Sequence, residues 1–196
     1  MASEKRITRE SILQAATQTI QGGGAESLTV RNIAKTLGCS TQPLYYEFEN
    51  IQHLKDALYD YIRENFLKFH NDSYKAFGQS FLFFAMKEKE LFRFLYLQQR
   101  QPGQDLLDDL NWEMLISLLA KNLEMPLETA REMHRQMQFR CYGLGVMLAI
   151  GYQSMNQEQI DQELTEFFRI ILRHYKGITS EEELEYWLQR SRNLIY

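Results

Sequence analysis

The sequence predicts an all-α chain: an N-terminal three-helix helix-turn-helix domain joined by a long fourth helix to a C-terminal helical domain. Two observations predict it. Apolar residues recur at three- and four-residue steps, the spacing that lines one face of a helix. The three prolines and ten glycines read as punctuation between those runs. With 196 residues and 44% hydrophobic content, the chain can bury a sizeable core. The expected division is 1–50 for the helix-turn-helix domain and 51–196 for the second.

The first helix is expected over 9–21, with Ile12, Leu13, Ala16 and Ile20 on one face and Gly22, Gly23 and Gly24 as its stop. Thr29 caps a short helix over 30–37, whose Val30, Ile33, Ala34 and Leu37 form a narrow stripe ended by Gly38. Ser40 is positioned to cap a third helix over 41–48, where Pro43 falls in the first turn and Leu44 and Phe48 face inward. A fourth helix follows Asn50 and carries Leu54, Leu58, Tyr61, Ile62, Phe66 and Phe69 to about residue 71, roughly 30 Å of arm. Further helices are expected over 73–87, 89–99, 105–123, 127–152, 157–175 and 181–195. Three of these starts have a chemical cause: Pro126, Asn156 with Gln159, and Ser180 with Glu183 as a capping box.

Charge and composition narrow the function. The longest nearly uncharged apolar run, Tyr142 to Tyr152, is about 11 residues, whereas a bilayer span takes about 20, so no membrane partner is expected. The charged start MASEKRITRE lacks a secretory apolar segment, and a cytoplasmic location is expected. Cys39 and Cys141 are far apart and the four histidines are scattered, so neither a disulfide, a metal site nor a cofactor is expected. A formal charge of −4 argues against indiscriminate coating of nucleic acid, but not against reading a specific site. Up to Asp56 the chain is balanced: Lys5, Arg6, Arg9, Arg31, Lys35 and Lys55 against Glu4, Glu10, Glu26, Glu47, Glu49 and Asp56.

Two eight-residue helices joined by Gly38, Cys39 and Ser40 have the layout of a helix-turn-helix, the second helix being the one that enters the major groove. Thr41, Gln42, Pro43, Tyr45 and Tyr46 then become intelligible as an outer face that meets double-stranded DNA. Gln42 suits an adenine edge, Thr41 and Pro43 a thymine methyl, and the tyrosine hydroxyls phosphate oxygens. Thr29, Arg31, Ser40 and Lys55 flank this face as candidate DNA contacts. The competing structural account is an ordinary bundle corner with the tyrosines half-buried.

From Ile12 to Leu58 the chain resembles the N-terminal domain of the TetR family of repressors. Thr29, Val30, Ile33, Ala34, Leu37, Gly38, Ser40, Leu44, Tyr45, Phe48, Leu54 and Lys55 fall in that family's pattern of a capped helix, a glycine turn, a recognition helix and a lysine-bearing fourth helix. The resemblance implies a homodimeric, ligand-responsive transcriptional regulator, a repressor on a palindromic operator, whose C-terminal domain binds the ligand and dimerises. Glu47, Glu49 and Ile51 depart from the basic or histidine residues often found there, which weakens phosphate binding; Lys5, Arg6 and Arg9 are candidates to compensate.

Beyond residue 73, FLFFAMKEKELFRFLYLQ and RCYGLGVMLAIGY are similar to segments of the same family. Candidate ligand residues, suited to a small apolar or aromatic effector, are Phe81, Met86, Tyr96, Trp112, His134, Met137, Gln138 and Cys141. Candidate dimer-interface residues are Gly143, Met147, Ile150, Leu164, Phe167, Phe168 and Ile171, with internal packing as the alternative. An enzyme is not expected: His134 and Cys141 share a helix face but lie about 10.5 Å apart along its axis, beyond hydrogen-bond reach. A protein-binding adaptor that has lost DNA affinity is the other rival, motivated by Glu47 and Glu49.

Overall fold

The computed structural model describes residues 7–67, 73–98 and 111–191. They form α1 (Arg9–Gly23), α2 (Val30–Leu37), α3 (Gln42–Glu47), α4 (Ile51–Ile62), α5 (Tyr74–Lys87), α6 (Lys89–Tyr96), α7 (Trp112–Leu123), α8 (Leu127–Ala149), α9 (Gln157–Lys176) and α10 (Glu181–Arg190), with no strand among the described residues. A short 3-10 turn, Ala25–Ser27, links α1 to α2, and a π-helical turn, Arg63–Leu67, follows α4. Regular α4 is thus 12 residues long, about 18 Å. Residues 68–71 of the expected arm, like 105–110 and the chain after Ser191, lie outside the described residues.

Helix starts follow the capping chemistry. The Thr29 hydroxyl accepts from the Asn32 N–H at 3.2 Å, and Asn50 Oδ1 from the His53 N–H at 2.9 Å. Asn156 and Gln159 satisfy each other's backbone N–H at 2.9 Å, a reciprocal box. Thr8 and Ser11 form another such box before α1. The third helix differs from expectation. Its N-cap is Thr41, whose backbone is already helical at φ −76° and ψ −12° and makes no side-chain cap bond. A cap needs extended backbone to turn its oxygen back on the first amides, so Ser40 is an exposed turn residue and not the cap. Glycines also differ in use. Gly24, Gly38 and Gly177 end helices at positive φ, whereas Gly78, Gly143 and Gly145 lie inside α5 and α8.

Of the described residues, 7–66 and 88–98 form one compact unit; 67, 73–87 and 111–191 form a second. In the first, α1 is central and packs on α2, α4 and α6. Its core is the inward stripe of each helix, Ile12 and Ile20 with Ile33, Leu44, Leu58 and Phe92, all nearly inaccessible. The unit runs past residue 50 and takes in α6, which returns to α1; Gln21 Nε2 donates to Glu88 Oε2 at 2.8 Å beside it. In the second unit α8 packs on α5, α7 and α9. One core cluster joins α7, α8, α9 and α10 through Leu119, Met133, Leu172 and Leu184; another joins Leu82, Cys141, Leu144 and Leu164. Gly78 makes the latter possible, since a Cβ there would lie 3.2 Å from Leu164 Cδ1. α10 is tied down by Lys176, whose Nζ sits 3.5 Å from the Trp187 ring centroid and donates to the Leu123 carbonyl at 2.9 Å.

Candidate nucleic-acid interface

α3 is anchored by two side chains and offers the rest. Leu44 and Phe48 are 2% and 4% exposed, while Tyr45 and Tyr46 on the opposite side are 59% and 80% exposed. The preceding turn is set by Gly38, in the left-handed region at φ 70° and ψ 32°, whose N–H bonds back to Ala34 and Lys35 carbonyls. The start of α1 secures the far end: the Arg9 guanidinium lies 4.4 Å over the Phe48 ring and donates to the Glu47 carbonyl at 3.3 Å. Arg9 is therefore engaged with α3's end, and Lys5 and Arg6 lie outside the described residues.

The structure gathers several of the expected contact residues. Thr41 and Gln42 are exposed at the first turn of α3, and Pro43 is half-exposed beside them. Thr29, Tyr45 and Lys55 line one open groove together with Val30, Asn50 and Ile51. That groove has the N-termini of α2 and α4 at its wall, where free amide N–H groups favour anions. Glu26 and Glu49 line it too, so a phosphate entering it meets two carboxylates as well as Lys55. Glu49 is paired with His53 at 3.2 Å. Arg31 and Ser40 are exposed but stand outside this groove. Gln42 Nε2 donates to Tyr46 Oη at 3.0 Å, a pairing the sequence reading missed although the four-residue spacing is its signal.

The candidate effector residues fall into separate groups. His134 is buried, its Nδ1 2.8 Å from Tyr74 Oη and its ring edge-on to Trp112 with centroids 5.1 Å apart. Met137 packs in the same cluster, and Gln138 is half-buried next along α8. Phe81 and Cys141 belong to the other cluster of that unit, and Met86 is half-buried near the end of α5. Tyr96 is in the first unit, its ring tilted against Phe92 with centroids 4.8 Å apart. Tyr74 was missed, because a lone tyrosine at a helix start carries no sequence signal of a partner sixty residues away. Burial pushes the Cys141 thiol up to about 12, and His134 Nδ1 is held by Tyr74, so neither group is set up as a nucleophile and its base. Among the described residues no three His, Cys, Asp or Glu side chains are arranged to hold a metal, and no helix is long and apolar enough to cross a membrane.

The candidate dimer residues also divide. Leu164, Phe168 and Ile171 face inward on α9 and are buried by their own unit, the internal packing named as the alternative to an interface role. Met147 is half-buried against that core, and Phe167 is half-buried under Arg140 at 5.5 Å. Gly143 on α8 and Ile150 at its C-cap are exposed, with open space beside Gly143. Phe139 and Ile170, absent from the expected set, are 50% and 61% exposed on the same two helices.

Residues 12–58 match the family model described as bacterial regulatory proteins, tetR family. Over those residues the sequence is of the TetR type. The chain is 33% identical over 99 residues to tetracycline repressor protein class D of Escherichia coli and, equally, to class H of Photobacterium damsela subsp. piscicida. Each alignment covers 50% of this chain and 44% of the relative, so the chain spans less than half the length of the curated relatives it matches. A crystal structure of a TetR variant from Acinetobacter baumannii AYE, in complex with minocycline, superposes with TM-score 0.58 at 18% identity, covering 90% of this chain and 100% of that one. The TetR-like fold, helix-turn-helix domain followed by helical domain, therefore extends through the chain.

Proposed function

We propose that this TetR-type chain is a ligand-responsive transcriptional regulator that binds a palindromic operator as a homodimer and acts as a repressor. Residues 1–50 carry the DNA-binding surface and 51–196 the effector and dimer functions. One observation carries the reading: α3 buries Leu44 and Phe48 yet holds Tyr45 and Tyr46 in solvent, beside exposed Thr41 and Gln42. A bundle corner gains free energy by burying such rings, about 25 cal/mol per Å2 of apolar surface. Leaving two of them outward on an anchored helix fits a surface that meets another molecule.

The dimer rests on the exposed residues Phe139 and Gly143 on α8, Ile150 at its C-cap and Ile170 on α9. A palindromic operator presents its two half-sites to the recognition helices about 34 Å apart, one turn of DNA. The effector is a small apolar or aromatic molecule received near His134, Trp112 and Met137; tetracycline and minocycline, named for the relatives and the structural neighbour, are the first to try. Effector and operator favour different dimer geometries, so each weakens the other's binding by the same factor.

Selection of sites from a random DNA pool by the purified chain, at low and moderate salt, tests the proposal. An enriched palindrome is expected, bound more weakly as salt rises. No enrichment at either salt overturns the reading in favour of a protein-binding adaptor.

A further inference from the structure

Resting on the reading of α3 as the major-groove helix, we infer that Tyr46 is a positioning residue that fixes the Gln42 amide to read an adenine in each operator half-site. Gln42 opens α3 and Tyr46 lies four residues later on the same face, the spacing at which helix side chains meet. Gln42 Nε2 donates to Tyr46 Oη at 3.0 Å. Burial does not force the contact, because both side chains are exposed and Tyr46 is the most accessible large apolar side chain among those described.

The consequence follows from the inventory of an amide. Gln42 has two N–H donors and an acceptor Oε1. One N–H is held by Tyr46 Oη, which leaves one donor and one acceptor for DNA. Adenine presents that complement in the major groove, N7 as acceptor and N6–H as donor. Guanine presents two acceptors, N7 and O6, which a free amide meets by turning both N–H groups toward them. With one N–H committed to Tyr46 that mode is lost, so the couple selects adenine over guanine. The same bond restricts a flexible, solvent-exposed side chain before DNA arrives.

Binding-site selection with the full chain, Gln42→Ala, Tyr46→Phe and the double variant tests this, with circular dichroism confirming that each variant is folded. Gln42→Ala is expected to lose the preference for A·T at one position of each half-site. Tyr46→Phe should lower the adenine-over-guanine preference at that same position about fivefold to tenfold, and the double variant should match Gln42→Ala there. If Tyr46→Phe weakens binding equally for every base, Tyr46 is a phosphate contact and the inference fails. It fails equally if the preference changes at a different position, or if Gln42→Ala reports a base other than adenine. A natural chain that enriches no site overturns the operator reading itself, and is distinguished by the absence of any position to compare.

Discussion

Single residues carry the backbone geometry of the turn before α3 and the inertness of the interior. Gly38 sits in the left-handed region with nothing within 4 Å of where a Cβ would be. Gly38→Ala therefore costs only backbone strain, about 1 kcal/mol, and thermal unfolding should show a drop of a few degrees with no change in helix content. Cys141 makes a pH statement. Burial raises its thiol from 9.0 to about 12, while the unfolded chain ionises near the lower value. Between those pH values the unfolded state holds fewer protons than the folded one, so this group lowers stability as pH rises through that window. Below pH 9 it contributes nothing. Cys141→Ala should flatten the alkaline decline in unfolding free energy relative to the natural chain. At neutral pH a thiol reagent should modify half-exposed Cys39 in the native protein, and Cys141 only on unfolding.

Elements are set by periodic stripes and by where a small residue permits close approach. On α9, Ile160, Leu164, Phe168, Ile171 and Leu172 form an inward stripe at three- and four-residue steps, with Glu166 and Ile170 outward. The crossing of α5 over this stripe depends on Gly78, whose hypothetical Cβ would come within 3.2 Å of Leu164 Cδ1 and 3.5 Å of Cys141 Sγ. Gly78→Val overfills the contact and should destabilise the chain by about 1–3 kcal/mol in a denaturant titration. Adding Leu164→Val to Gly78→Val should recover part of that loss. α10 is held differently, by ion pairs of Arg173 with Glu181, Arg169 with Glu185 and Arg190 with Glu124 around the Lys176–Trp187 contact. The exposed pairs contribute little each, so buried Leu184 and Leu188, with Trp187 packed beside them, anchor that helix.

At the scale of the molecule, the prediction concerns what the chain leaves uncovered. Phe139, Ile150 and Ile170 expose large apolar surface while contributing nothing to the core. Ile170→Glu should convert the proposed dimer to monomer in sedimentation velocity and leave the thermal transition of the isolated chain almost unchanged. The same substitution should abolish binding to a full palindrome, because one recognition helix alone lacks the second half-site. A dimer that survives Ile170→Glu and Ile150→Glu together would move the interface elsewhere.

The sequence by itself determined the helical class, most helix starts, the Gly38 turn and the outward face of α3. These rest on neighbours a few residues apart: a cap oxygen reaches N2 or N3, a stripe repeats every turn, and a left-handed turn needs glycine. Tertiary structure decided the rest, because it depends on partners distant in the chain. Whether Leu164, Phe168 and Ile171 met a second chain or their own core could not follow from apolarity, since both surroundings reward it equally. Arg9 acquired Phe48 and the Glu47 carbonyl as neighbours only in the folded unit. His134 acquired Tyr74 and Trp112 as neighbours only when α5, α7 and α8 packed, and no local pattern records a contact closed across sixty residues.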